Sequence, residues 1–459
     1  MRGGKSFLLL LIVAAGLGYY AWFVERQNDP SGTPDKREKV FAVESEKIDE
    51  ITVKAASGEQ TKLKREAGAW KIVSPAALTP DLAEVSAMTT ALAGMDMEKT
   101  VDENAADLKN YSLEPARISV SFHIEGGASH TLDLGVKSPT GADMYARADG
   151  GKKVFMIGAY REDALNKSTF NLRDKTIMAF DRDKADYLKV DDGKKPVSLA
   201  KEGTAQWKLT APVTGGADFT AVDGIVGRLY QLKMKSLISE TEAGKDDAKK
   251  YGFDKPQYTV TLGAGASRST LVIGGKAAED GAVYARETAK PMVFTIESTF
   301  ADDLKKTPAD YRQKDVFEFR ATTLRRLEIV RGGVTYVITQ GNPDQWKLEK
   351  PEAKTLDSAK MNDMLTNFSS LRADSFVDAA GAGEETTLTA TFGEEKASRT
   401  ESVTFRIVPG KHAGKAAAKQ EDAEAKVHAT RKGEKGALVI SALDFDKAMA
   451  IFKELTGSK

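Results

Sequence analysis

Residues 207–212 read WKLTAP, and the same hexapeptide frame occurs twice more, as WKIVSP at 70–75 and WKLEKP at 346–351. The three tryptophans stand 137 and 139 residues apart and are three of the four in the chain. Self-similarity at a fixed long period is the signature of tandem copies of one folding unit. The echoes continue outward from the hexapeptides. YSLEP at 111–115 answers to YGFDKP at 251–256, Tyr145-Ala146-Arg147 to Tyr284-Ala285-Arg286, VFMI at 154–157 to VFTI at 293–296, and Arg173-Asp174-Lys175 to Arg312-Gln313-Lys314. At an offset of 139, residues 132–160 match 271–299 at 9 of 29 positions without a gap.

Division at the recurring Phe41, Phe180 and Phe319 gives three units, 41–179, 180–318 and 319–459. A chain of 459 residues is too long for one ordinary core and fits roughly three domains of about 150 residues. The third unit is degenerate. It keeps the Trp motif and places Lys426-Val427-His428-Ala429-Thr430 where the Tyr-Ala-Arg strand belongs, but it lacks the Tyr…Pro element and ends before an Arg-x-Lys. Its stretch 410–425, GKHAGKAAAKQEDAEA, is of low complexity and reads as a loop.

Each unit opens with two alternating β segments, as at 51–54 and 61–64 with the turn Ser57-Gly58 between them, and the Trp strand follows. After the proline comes a helix. In the first unit Thr79 is the expected cap and Pro80 the first helical residue, with Leu82, Val85, Met88 and Leu92 on one face. The second unit repeats the stripe with Val222, Ile225, Leu229 and Leu232, the third with Met361, Met364, Leu365, Phe368 and Leu371. Further strands and a short closing helix complete the pattern. The expected class is α+β: mostly antiparallel sheet with packed helices, in three tandem repeats.

Residues 7–24, FLLLLIVAAGLGYYAWFV, carry no charge and span roughly 27 Å as a helix, enough to cross a bilayer core. Tyr19, Tyr20 and Trp22 cluster at the carboxyl end, where amphipathic rings favour the headgroup layer. A cleaved signal peptide is the competing reading. The apolar run continues past the small residues Ala14, Gly16 and Gly18 into bulky aromatics, which favours an uncleaved anchor. The expected arrangement is a tail at 1–6, a transmembrane helix at 7–24 and a linker at 25–40. It makes a single-pass protein of the inner (cytoplasmic) membrane with the carboxyl-terminal region in the periplasm or outside the cell.

Lys plus Arg and Asp plus Glu both number 67, so the net charge is zero and nucleic acid is not an expected partner. The absence of cysteine excludes disulfides, thiolate metal sites, a Cys nucleophile and a lipid-modified cysteine. With 41% hydrophobic and 29% charged residues, the chain is expected to fold and not to span a membrane repeatedly.

The order W-K-x-x-x-P, helix, Y-G-x-x-x-P, strand ending in I-G-G, then Y-A-R, V-F-x-I and R-x-K resembles a bacterial family known as domain of unknown function 4340. Residues 207–314 match it best, and 70–175 follow with Ser112 in place of the glycine and Leu134-Gly135-Val136 in place of Ile-Gly-Gly. The resemblance implies one amino-terminal span and, because some members are encoded beside gliding-motility-type ABC transporters, an envelope accessory role with ABC transporter subunits as partners. It brings no catalytic residues.

Tyr145 with Arg147, and Tyr284 with Arg286, alternate along a strand, so each pair shares one face. Such a face is a candidate surface for a carboxylate or phosphate, with Arg as the fork and Tyr as a platform. A solvated sheet face or an intramolecular ion pair is the plainer reading. Arg173, Lys175, Arg312 and Lys314 precede unit boundaries and are candidate junction residues. The tryptophans read as core residues holding a strand against its helix. His123 and His130 are seven residues apart without a third ligand at metal spacing, so no metal, cofactor or catalytic group is expected. The leading expectation is a non-enzymatic interaction scaffold; the alternative is a binding module for cell-wall glycan or another anionic envelope polymer.

Overall fold

In all three copies the Trp strand ends at a cis X-Pro bond, at Ser74-Pro75, Ala211-Pro212 and Lys350-Pro351. The computed structural model describes residues 38–203, 206–241, 245–341, 345–394, 397–408 and 426–458. The expected transmembrane segment 7–24, its tail 1–6, most of the linker and the low-complexity stretch 410–425 lie outside the described residues. Among the described residues no helix is long and apolar enough to cross a membrane. The chain divides into two compact units, one up to Lys175 and one from Thr176 onward.

The first unit holds one sheet. Its strands are β1 (Ile48–Lys54), β2 (Gln60–Glu66), β3 (Ala69–Ser74), β4 (Lys99–Asp102), β5 (Ile118–Ile124), β6 (Ser129–Lys137), β7 (Asp143–Ala148) and β8 (Val154–Gly158), in the order β3-β2-β1-β5-β6-β7-β8-β4. Every pairing is antiparallel. The chain walks from β1 to one edge, crosses in helix α1 (Leu82–Ala93) to the far edge at β4, and returns to pair β5 with β1. Short helices α2 (Glu162–Leu165) and α3 (Thr169–Leu172) close the copy.

The second unit repeats that path twice. Strands β9 (Ala185–Asp191), β10 (Val197–Glu202), β11 (Gln206–Ala211), β12 (Gly215–Gly216), β13 (Ser236–Ser239), β14 (Tyr258–Ala264), β15 (Ser267–Lys276), β16 (Ala282–Glu287) and β17 (Val293–Glu297) run β12-β11-β10-β9-β14-β15-β16-β17-β13, with helices α4 (Phe219–Gln231), α5 (Lys245–Lys250) and α6 (Ser298–Asp303). The third sheet comprises β18 (Leu324–Arg331), β19 (Val334–Gln340), β20 (Trp346–Lys350), β21 (Lys354–Leu356), β22 (Ala373–Val377), β23 (Glu384–Phe392), β24 (Arg399–Val408), β25 (Lys426–Arg431) and β26 (Ala437–Ser441), with helices α7 (Ser358–Ser369) and α8 (Ala442–Thr456). Its order, β21-β20-β19-β18-β23-β24-β25-β26-β22, is that of the second sheet. The third copy is therefore divergent in sequence but has the full strand order. It differs in running from β22 to β23 without a helical segment and in closing with one long helix.

Each crossing helix is capped by an aspartate in extended conformation. Asp81, Asp218 and Asp357 accept the amides of Ala83, Ala221 and Lys360 at 3.1, 2.9 and 2.9 Å. The expected cap Thr79 is thus displaced by two residues, and Pro80 lies before the helix, in a bridge with Arg173. Leu82, expected in the core, is 64% exposed, because a helix that starts at 82 turns its first residue away from the sheet. The remaining stripe residues, Val85, Met88 and Leu92, are buried with Ile51, Val53, Leu63, Ile72 and Val120 of the sheet. Trp346 sits in the third core with Met361, Met364, Leu365 and Phe368 of α7 and Phe445 and Phe452 of α8. Trp207 is buried, and Trp70 is partly buried against the first core. Trp207 and Trp346 are core residues, each contributing several kcal/mol through burial, and Trp70 packs against the edge of its core.

Candidate functional site

The central alanines of the Tyr-Ala-Arg strands, Ala146 and Ala285, are buried in the helix-packed face, so Tyr145, Arg147, Tyr284 and Arg286 point to the opposite face of their sheets. Around each tyrosine that face is covered by the Tyr…Pro segment. In the first copy Tyr145 lies 5.0 Å from Tyr111 and joins a small cluster of Ala105, Leu108, Leu113 and Val154. In the second Tyr284 lies 4.8 Å from Tyr251, in a cluster with Phe253, Val272 and Val293.

This second core explains the motif. Gly252 has φ +76°, and Ser112 takes the same left-handed conformation at φ 54° in the first copy. The segment then lies so low on the sheet that a Cβ on Gly274 would come within 2.1 Å of the Tyr251 carbonyl oxygen, and one on Gly135 within 1.9 Å of that of Tyr111. The amide of Gly275 donates to the same Tyr251 oxygen at 2.7 Å. The rings of Tyr145 and Tyr284 are therefore packed against those of Tyr111 and Tyr251 and are only partly exposed.

The arginines differ between copies. Arg147 Nε donates to Asp133 Oδ2 at 2.8 Å, with both side chains mostly buried, and Ser119 Oγ donates to Asp133 Oδ1 at 2.7 Å. Asp133 stands directly across the strand pair from Arg147. Across from Arg286 stands Val272. The Arg286 guanidinium lies 5.3 Å from the centre of the Phe253 ring, and its buried Nε–H has no acceptor among the described residues. In the third copy Thr430 faces Thr404, and His428 Nδ1 accepts the amide of Gly381 at 3.0 Å. Burial, with Lys426 nearby, holds the His428 pKa below its ordinary value.

The Arg-x-Lys segments run beside the chain entering each crossing helix. Arg173 is buried and bridges Pro80, the Asp174 amide donates to Thr79 O at 2.8 Å, and Lys175 Nζ donates to Asn171 O at 2.8 Å. Arg312 bridges Ala217 and reaches the third sheet. Its guanidinium stacks 4.1 Å from the centre of the Phe376 ring and donates to Lys435 O at 3.2 Å. Burial lowers its pKa, opposed by Glu434. Lys314 contributes its carbonyl, which accepts the Ala373 amide at 2.8 Å. Sequence reading missed the partners on the third sheet. Glu434 accepts the Gly216 amide at 2.9 Å, and Arg431 donates to the carbonyls of Gln313, Asp315 and Val316.

His123 and His130 do not come together. His123 stands next to the Phe122↔His130 pair and so on the other face, and each imidazole has its own carboxylate, Asp49 at 2.7 Å and Asp149 at 3.0 Å.

A family model described as domain of unknown function (DUF4340) matches residues 70–214 and 207–391. Both matches begin at a Trp strand and run into the next copy. No curated protein and no solved structure matches the chain. Together the two matches span well over half of the sequence, and the chain belongs to this family.

Proposed function

From this family membership and the repeated fold we infer that the protein is a membrane-anchored, envelope-exposed, non-enzymatic interaction scaffold serving as an accessory to an ABC transport system. One observation carries the reading. The positions that recur between copies, Trp207 and Trp346, Gly135 and Gly274, Asp81, Asp218 and Asp357, are those that build the sheet, its caps and its second core. The polar position beside them does not recur, being Asp133, Val272 and Thr404 in turn. Repetition of a frame without repetition of the residue that faces the Tyr-Ala-Arg strand supplies surface and not a shared reaction centre. The apolar segment 7–24 would anchor the chain and residues beyond 25 would lie outside the cytoplasm. The test is crosslinking of the full-length protein in its host, followed by detergent extraction. Co-purification of a permease or ATPase subunit is expected; recovery of no protein partner would sink the scaffold reading.

The second reading, recognition of cell-wall glycan or another anionic envelope polymer, is favoured by the unpaired state of Arg286.

A further inference from the structure

Arg147 and Arg286 occupy the same place in two sheets whose strand orders match apart from the extra edge strand β12, yet among the described residues only Arg147 meets an acid. We propose that Arg286 anchors a single anion site per chain, for a carboxylate or phosphate group carried by an envelope polymer, and that the equivalent place in the first copy is closed by its own Asp133. The proposal rests on the second reading above and narrows it to one residue and one chemical class.

In the first copy the arginine Nε–H is satisfied by a carboxylate oxygen at 2.8 Å. The second copy keeps the strand pair, the arginine and the aromatic cover and replaces that carboxylate with Val272. A guanidinium set against buried rings has lost part of its hydration, so an anion there is held more strongly than in open water. Phe253 walls one side of Arg286, and Lys250 places a second positive charge 5.2 Å from the Tyr251 ring. The neighbouring acid, Glu287, is already engaged by Ser269 Oγ and the amides of Thr270 and Ala289. Arg286 is only partly buried while its Nε is sealed from solvent, so an arriving anion is offered the remaining nitrogens of the guanidinium. Tyr251 and Phe253 are 7% and 6% exposed, which leaves charge, and not stacking on a sugar face, as the basis of recognition. The third copy, with Thr430 across from Thr404, has no cation at this place.

The experiment is saturation-transfer NMR of the detergent-solubilised full chain with three hexoses: glucuronate, glucose 6-phosphate and glucose. Signal is expected from an anionic sugar and not from glucose, and whether glucuronate or glucose 6-phosphate gives the stronger signal identifies carboxylate or phosphate as the ligand group. Loss of one charge-assisted hydrogen bond weakens binding on the order of tenfold, so Arg286→Gln and Val272→Asp should raise the Kd read from a saturation-transfer titration about tenfold while Arg147→Gln leaves it unchanged. Val272→Asp re-creates a pair that the first copy already folds with, and circular dichroism checks that it is folded. Equal signal from glucose, no signal from either anion, or an unchanged Kd in Arg286→Gln would overturn the site. Crosslinking to a transporter subunit is unaffected by any of these variants under the scaffold reading, so the two ideas fail separately.

Discussion

The carbonyl oxygen of Tyr251 lies over Gly274 at a distance that leaves no room for a Cβ, which would meet it at 2.1 Å. The obstacle is backbone and cannot rotate away, so Gly274→Ala should cost about 3 kcal/mol or more. In the first copy the left-handed Ser112 stands where Gly252 stands in the second, and Ser112→Gly should raise stability by roughly 1 kcal/mol. Calorimetry of the two variants against the parent chain checks both signs.

Arg312 ties the second sheet to the third through a face-on contact with Phe376 and a bond to Lys435 O. Its removal uncovers a ring and leaves that carbonyl without its donor. Arg312→Ala should cost about 3 kcal/mol and Arg312→Lys about half of that, because an ammonium cannot stack as a plane. Hydrogen exchange at the Val316 and Ala373 amides, which bond across the same junction, should accelerate in both variants. Unchanged protection there would show that the arginine is not what holds the sheets together.

The tryptophans differ in burial although they share a motif. Trp346 is 1% exposed among α7, α8 and the third sheet, and Trp346→Ala should cost about 3–5 kcal/mol. Trp70 is only partly buried, lying beside Arg65 at 5.5 Å, and its replacement should cost about half as much. Equal losses in urea unfolding would contradict the burial difference.

Asp133 and Arg147 should be coupled. Removing either leaves the other partly buried without its counter-charge, at about 3 kcal/mol, while the double replacement should cost less than the sum by about 1–3 kcal/mol. A double-mutant cycle measured by chemical denaturation gives the coupling directly, and additivity would mean the pair is too well solvated to matter.

His428 gives the third copy a pH response. Its Nδ1 accepts the Gly381 amide, so the proton of the neutral ring is on Nε2, and burial depresses its pKa from the ordinary 6.5. A depressed folded-state pKa contributes stability that is fully present above the unfolded value and is lost as pH falls through the folded one. The thermal midpoint should therefore drop as pH falls below about 6.5, and His428→Gln should flatten that acid-side slope. An identical slope in the variant would remove His428 as its source.

Much of the fold was legible because the signals are local. Alternating apolar residues, a proline after each Trp strand and a periodic stripe in each helix mark elements that any copy of the unit must form. The offset of 139 residues also aligns Asp133 with Val272, so the one polar difference that sets Arg147 and Arg286 apart was present in the sequence as a mismatch. Its meaning was not readable there, since nothing in the local pattern says which residue stands across a strand pair. The helix start was misplaced by two residues because Thr79-Pro80 imitates a cap, while the aspartate at 81 is the residue whose carboxylate reaches the first free amides.

By itself, the order of residues determined that the chain is built from three copies of one sheet-forming unit, because repetition, hydrophobic period and turn chemistry act over a few residues at a time. Only the tertiary structure decided which side chains meet. It put a second core of Tyr251, Phe253 and Tyr284 on the face expected to be open, closed Arg147 with Asp133 while leaving Arg286 unpaired, and placed Arg312 on Phe376. Those pairings join residues 14 to more than 60 positions apart, and they exist only because strand register and the packing of whole sheets bring distant parts of the chain within a few ångströms.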